Sequence, residues 1–285
     1  MPFLTQPPDP NPRAPRLKLP PGSVDCHIHL FGPSARYSFH PNTKYTTADA
    51  LPETYFALQD VVGLSRAVLV SGGGYGTDMT HLVDTLTRFG NRLRGIALVD
   101  PDVTDARLDE LHRLGVRGIR FSTAGHGGAL PRLNAMTAAR AHARGWHVQF
   151  YPHGPELPDF ADQLLALPNT IVLDHFASVD RVDGPAFATL LRMLDTGRVW
   201  VKLSGPMRCT LEEPPYPSIT PIARALVAHA PERLVWGTDW PHVNMNDRTM
   251  PNDGDLVDLI AEWIPDEAMR RRILVENPKV LYGFE

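Results

Sequence analysis

The residues best suited to chemistry are two histidines one residue apart, His27 and His29, together with the pair Asp174-His175 and with Asp239 in Trp236-Gly237-Thr238-Asp239-Trp240-Pro241-His242. Three imidazoles and a carboxylate can move protons near neutral pH, polarise a carbonyl or hold a metal ion. Taken singly, each has a plainer explanation: a strand histidine is often a packed structural residue, and an Asp before Trp-Pro can simply cap a turn. Placement is what argues for a site. The i, i+2 spacing puts His27 and His29 on one face of a strand, and His175 and Asp239 each follow an apolar run of their own. Arg120 and Arg208 also stand at the ends of such runs, where a guanidinium fork would match an acid group on a substrate. Lys202, alone among apolar neighbours, is expected to tie strands together through an ion pair.

The elements that must carry these side chains can be read from pattern. Eight short apolar runs, Val24 to Leu30, Arg66 to Ser71, Leu93 to Val99, Val116 to Ser122, His147 to Tyr151, Thr170 to Asp174, Val199 to Ser204 and Leu234 to Gly237, read as strands. Helical periods fall between them at about Pro52 to Gly63, Asp78 to Phe89, Thr104 to Leu114, Arg132 to Arg144, Leu157 to Ala166, Gly184 to Asp195 and Ile219 to His229. Gly63, Gly90, Gly115, Gly145 and Gly197 sit where left-handed helix caps are expected. Strict alternation without a glycine-rich phosphate turn after the first strand favours a single-domain (β/α)8 TIM barrel over a doubly wound sheet. In such a barrel the site lies at the C-terminal ends of the strands, where all the candidates fall. His40, His81, His112, His142 and His229 lie in loops or helical patterns and are expected at the surface.

Composition narrows the function. The chain has 285 residues, 43% hydrophobic and 21% charged, with formal charge −4, pI near 6.3 and mean hydropathy −0.19. It can bury a core, and it lacks the basic runs that nucleic acid or an anionic membrane would require. No apolar run approaches the ~20 residues of a membrane span. Cys26 and Cys209 form no CxxC motif, so two free thiols in a reducing cytoplasm are expected. Residues 1–22 hold eight prolines and no apolar core of a secretory signal, and read as a flexible arm ahead of a barrel at 23–285. A homo-oligomer is compatible with the sequence, which does not specify one.

Asp25-Cys26-His27-Ile28-His29, Asp174-His175, Trp236 to His242 and the closing Asn277-Pro278-Lys279-Val280-Leu281-Tyr282-Gly283-Phe284 together resemble the amidohydrolase superfamily, over roughly Val24 to Phe284. Within it, Tyr45 to Ala50, Arg66 to Val70, Tyr75 to Asp78 and Val201 to Pro206 are most similar to the pyrone-dicarboxylate lactonase branch. The resemblance implies a hydrolase that opens an acidic lactone, such as 2-pyrone-4,6-dicarboxylate or a muconolactone-type intermediate of aromatic breakdown, with a sugar lactone also in range. It implies Asp239 as the base that activates water and His27, His29 and His175 as groups that polarise the carbonyl. Arg120, Arg208, Tyr45, Ser71, Tyr151 and Asn244 would hold the substrate. His126 stands where that branch carries a further arginine, a departure that bears on which acid is accepted.

A binuclear metal centre of this superfamily adds a bridging Lys or Glu from the fourth strand and a His from the fifth, where this chain has Phe121-Ser122 and Tyr151, with His153 two residues beyond. The branch it resembles works without metal, so no required metal is expected. The alternative is one divalent ion such as zinc on His27, His29, His175 and Asp239. Two rival functions use the same residues: a zinc-dependent decarboxylase of an aromatic or semialdehyde acid, and a non-catalytic barrel that binds acidic metabolites.

Overall fold

The computed structural model describes residues 2–123, 132–245 and 247–285. Eight parallel strands, β1 Val24–Ile28, β2 Arg66–Val70, β3 Leu93–Ala97, β4 Val116–Ser122, β5 His147–Tyr151, β6 Ile171–Leu173, β7 Val199–Ser204 and β8 Leu234–Gly237, neighbour one another in chain order. The ring closes between β8 and β1, where Asp239 N donates to His27 O (2.9 Å) and His29 N donates to Trp240 O (2.7 Å). This is the expected (β/α)8 barrel. A side-chain period of two divides its apolar residues: Val68 and Val70 join an inner cluster with Val24, Cys26, Ile96, Val172 and Val235, while Ala67 and Leu69 join the larger cluster under the helices.

Seven helices follow the expected order: α1 Pro52–Val62, α2 Thr80–Phe89, α3 Asp105–Arg113, α4 Ala135–His142, α5 Leu157–Leu165, α6 Pro185–Asp195 and α7 Ile219–His229. Each exists for a local reason. In α1, Pro52 opens the first turn, and Tyr55, Leu58, Gln59 and Val62 recur at helical spacing on the buried face. Side chains of Thr104 and Asn134 cap α3 and α4 by accepting from Arg107 N and Thr137 N. Four of the five glycine caps are left-handed as expected. Gly90 is not, at φ −61°; a Cβ there would lie 2.7 Å from Leu86 O, so close packing accounts for the glycine.

Three features depart from the sequence reading. First, β8 is followed by α8 Asp253–Trp263, α9 Glu267–Arg271, a π-helical turn at Arg272–Glu276 and α10 Asn277–Tyr282, none of which the sequence reading assigned. Second, His81 is buried (6% exposed), stacked on Tyr75 (ring centroids 5.0 Å) and edge-on to Tyr37 (4.9 Å). It lies on the barrel face of α2, and burial lowers its pKa to about 4. Third, the proline-rich segment ahead of the barrel does not hang free. Phe3–Leu4 pairs in parallel with Tyr45–Thr46, Arg13 N donates to Asn252 Oδ1, Leu17 N donates to Asp258 Oδ1, and Arg16 pairs with Asp258. Proline removes backbone donors but leaves an extended chain whose remaining N–H groups can dock. No described helix is long and apolar enough to cross a membrane.

Candidate active site

His27, His29, His175 and Asp239 converge at the C-terminal ends of the strands, each by a distinct local route. In β1, a register shift between Asp25 and Ile28 turns His27 inward beside Cys26. Asp25 braces this turn from outside, accepting from His27 N (3.1 Å), Thr238 N (3.0 Å), Thr238 Oγ1 (2.6 Å) and Tyr55 OH (3.0 Å). Burial raises its carboxyl to about 6 against those bonds. His175 opens a run of four residues with left-handed φ between 49° and 55°, and Asp239 and Asn244 are also left-handed at 70° and 64°. Non-glycine residues in that region cost about 1 kcal/mol or more each. The packed barrel therefore holds the site side chains against local preference.

The geometry centres on Asp239. Its Oδ1 lies 3.6 Å from His27 Nε2, 3.7 Å from His29 Nε2 and 3.7 Å from His175 Nε2, while Oδ2 accepts from Arg208 Nε at 2.7 Å. His29 Nδ1 meets the carbonyl of Val70 at 2.8 Å. A carbonyl only accepts, so Nδ1 carries the proton and the neutral ring turns an Nε2 lone pair toward Asp239. His175 Nδ1 is held by Ser204, 3.0 Å from Oγ and 3.3 Å from O. Gly205 allows this approach: a Cβ there would lie 2.7 Å from His175 Nδ1.

Burial keeps the rings neutral. It lowers His29 and His175 to about 4 and drives His27, which also faces Lys202, well below its usual value. Burial would raise the Asp239 carboxyl, but the Arg208 guanidinium, with His175, His27 and His29, outweighs it and holds the group well below the carboxylate range. Asp174 is held low in the same way, Lys202, His27 and Arg120 overcoming its burial. The buried Arg120 and Lys202 and the part-buried Arg208 thus face two carboxylates (Asp174, Asp239), a balance that suits an anionic ligand.

His29, His175, Asp239, Tyr45, Arg120, Tyr151, Arg208 and Asn244 line one cavity, joined by Gly73 and Val243, which sequence reasoning missed. Arg120 Nε is bound to Asp174 Oδ2 at 3.0 Å, and Tyr45 OH accepts from Gly74 N at 3.2 Å. Asn244 Oδ1 is buried with no hydrogen-bond partner among the described residues. Ser71 is not among the lining residues; its buried hydroxyl borders a second, smaller cavity with Tyr75 and His81. His126 lies outside the described residues. Gln149, which sequence reasoning missed, and Asp174 form a polar layer with Lys202, whose expected ion pair is made to Asp174 at 3.4 Å. The available signal was a polar residue inside an apolar strand, as in His147-Val148-Gln149-Phe150-Tyr151.

The amidohydrolase family model matches residues 24–284, nearly the whole barrel. The chain belongs to the amidohydrolase family. It is 39% identical to a 2-pyrone-4,6-dicarboxylate hydrolase of Comamonas testosteroni, covering 95% of this chain and 93% of that one. It is 37% identical to a 4-sulfomuconolactone hydrolase of Hydrogenophaga intermedia, covering 94% and 91%. A solved structure from Pseudomonas putida, described as a candidate 2-pyrone-4,6-dicarboxylic acid hydrolase, superposes with a TM-score of 0.80 at 30% identity, covering 94% and 99%.

Amidohydrolase sites commonly hold metal, and the donor set here fits one ion. Ligand atoms of His27, His175 and Asp239 all lie within 4.8 Å of one another. Tetrahedral zinc with bonds near 2.0–2.1 Å separates its ligands by about 3.3–3.4 Å, close to the observed Nε2 to Oδ1 distances of 3.6 and 3.7 Å. His27 Nε2 is buried without a hydrogen-bond partner among the described residues. His29 Nε2 also lies 3.7 Å from Asp239 Oδ1 but falls outside this compact group, and three protein ligands would leave a position for water or substrate.

Proposed function

We propose that this protein hydrolyses an acidic lactone, opening a ring such as that of 2-pyrone-4,6-dicarboxylate or a muconolactone-type acid. One observation carries the reading: an ionised, buried Asp239 sits where three imidazoles converge, in a cavity that two arginines also line. The activities by which the two relatives are named, both on acidic lactones, agree with that charge pattern.

In this reading Arg120 and Arg208 take the substrate's acid groups and bring its ring carbonyl over Asp239. Asp239 Oδ1 accepts a proton from water as the water oxygen bonds to the carbonyl carbon. Negative charge on the former carbonyl oxygen is met by the donors lining the cavity, the guanidinium groups and the hydroxyls of Tyr45 and Tyr151; one such donor is worth roughly 10²–10³ in rate. The tetrahedral species then breaks the bond to the ring oxygen, which takes the proton back from Asp239, giving a carboxylic acid and a hydroxyl. Neutral His29 offers a lone pair to the cavity, so polarisation by donation from this ring would require its protonated form. A divalent metal on His27, His175 and Asp239 would polarise the carbonyl and acidify the water.

The test is a lactone panel followed by proton release, with and without EDTA. Acidic lactones should open and neutral lactones of the same ring size should lag; an enzyme inert toward every acidic lactone removes the reading. Activity that survives EDTA places the chemistry on the protein groups alone, whereas loss that zinc reverses assigns an ion to the His27, His175 and Asp239 set.

A further inference from the structure

Asp174 is fully buried, and the proposed chemistry gives it no task. Its Oδ2 accepts from Arg120 Nε and from Gln149 Nε2, both at 3.0 Å. Its Oδ1 faces His27 Nδ1 at 3.3 Å and Lys202 Nζ at 3.4 Å, ion-pair distances without hydrogen-bond alignment. One carboxylate thus touches both a guanidinium that lines the cavity and an imidazole aimed at Asp239. Neither Arg120 nor His27 is adjacent to it in the chain; β4, β1 and the end of β6 bring them together.

His27 Nδ1 stands between Asp174 Oδ1, which only accepts and lies 3.3 Å away at ion-pair distance, and Lys202 Nζ, which only donates and lies within hydrogen-bond reach at 3.4 Å. The two neighbours demand opposite tautomers. Three distances favour Asp174. Lys202 makes its short bond elsewhere, to Gln149 Oε1 at 2.8 Å. An N–H on His27 Nε2 beside the Asp239 carboxylate would close to about 2.9 Å, but the separation is 3.6 Å and the atom has no hydrogen-bond partner. His29 Nε2, whose lone pair is fixed by the bond from Nδ1 to Val70, stands off from the same oxygen by 3.7 Å.

We propose that Asp174 is a positioning residue: it holds His27 as the Nδ1–H tautomer with one oxygen and aims Arg120 with the other, so that the acid group and the reacting carbonyl of a substrate are placed as a unit. Lys202 supplies the opposite charge that keeps this carboxylate ionised inside the barrel. The consequence for turnover rests on the lactone-hydrolase reading, while the tautomer and the aim of Arg120 do not.

Nitrogen-15 imidazole spectra of the full chain at pH 7 should show His27 protonated at Nδ1. In Asp174→Asn the amide oxygen stays with Arg120 and Gln149 while the NH2 faces His27, so the proton should move to Nε2. The same variant should lose roughly 10–100-fold in kcat/KM on an acidic lactone, the usual effect of removing such a supporting carboxylate, and bind benzene-1,3-dicarboxylate about tenfold more weakly. Because a single change leaves Lys202 buried and unpaired, Asp174→Asn/Lys202→Met serves as the second variant and should recover melting temperature without recovering kcat. A wild-type His27 protonated at Nε2, or a double variant with wild-type kcat, overturns the proposal. If the wild type opens no lactone, the function fails, and the spectra with the dicarboxylate affinity still decide the role of Asp174.

Discussion

At the scale of single residues, burial decides which groups carry charge. His29 and His175 are neutral at pH 7, so Asp239 and the two arginines set the field of the cavity. If Asp239 is the base, Asp239→Asn should lower kcat roughly 10²–10⁴-fold while the affinity for benzene-1,3-dicarboxylate changes little; stopped-flow proton release and calorimetry read the two, and a near-wild-type rate would remove Asp239 from that role. His81 gives a test independent of the site. Its folded pKa of about 4 lies below the ordinary 6.5 because of burial. As pH falls below 6.5 the unfolded chain takes up a proton that the folded ring refuses until about 4, so stability falls across that window by at most about 3 kcal/mol. His81→Phe keeps the stacking on Tyr75 and should melt with a flatter acid limb than wild type between pH 6.5 and 4; superimposable limbs would mean that the ring protonates freely in the fold.

At the scale of elements, the arm and α8 depend on one side chain. Asn252 Oδ1 caps α8 by accepting from Gly254 N (3.1 Å) and also accepts from Arg13 N (3.0 Å), while its Nδ2 donates to Asp9 Oδ2 (2.8 Å) and Asn11 O (3.1 Å). Asn252→Ala should cost about 1–2 kcal/mol for the cap alone, seen in urea melts, and should open residues 2–22 to proteolysis; unchanged cleavage would show that Phe3–Leu4 and the contacts to Asp258 hold the arm by themselves. The arm also explains what sequence conveyed and what it did not. Its prolines announced a segment without helix, because proline fixes φ and removes a donor. Its docking was invisible, because the partner Asn252 lies some 240 positions away and is polar like any surface residue. The same holds within the site. The convergence of His27, His29, His175 and Asp239 was legible from strand-end position, whereas the compactness of the His27, His175 and Asp239 group and the stand-off of Ser71 follow from ring orientation and loop path, which no spacing encodes.

At the scale of the whole molecule, the barrel's last seam is where stability and chemistry meet. β8 and β1 are joined by the two backbone bonds flanking His27 and Asp239, so the groups facing each other across the site belong to the strands whose pairing closes the ring. Gly237 permits the approach: a Cβ there would lie 2.6 Å from His27 N and 3.0 Å from Asp25 Oδ1, and both are held, the first by the bulge of β1 and the second by Thr238 and Tyr55. Gly237→Ala must therefore push β1 outward. Overpacking of this kind costs about 1–3 kcal/mol, a loss the rest of the barrel can absorb. The geometry cannot, since a displacement near 1 Å at a reacting group costs on the order of 10²-fold in rate. The variant should accordingly fold, melt several degrees lower and lose far more kcat than stability, measured by calorimetry and turnover on one preparation. A variant that melts lower with wild-type kcat would show that the His27 and Asp239 geometry is set within each strand and not by the seam.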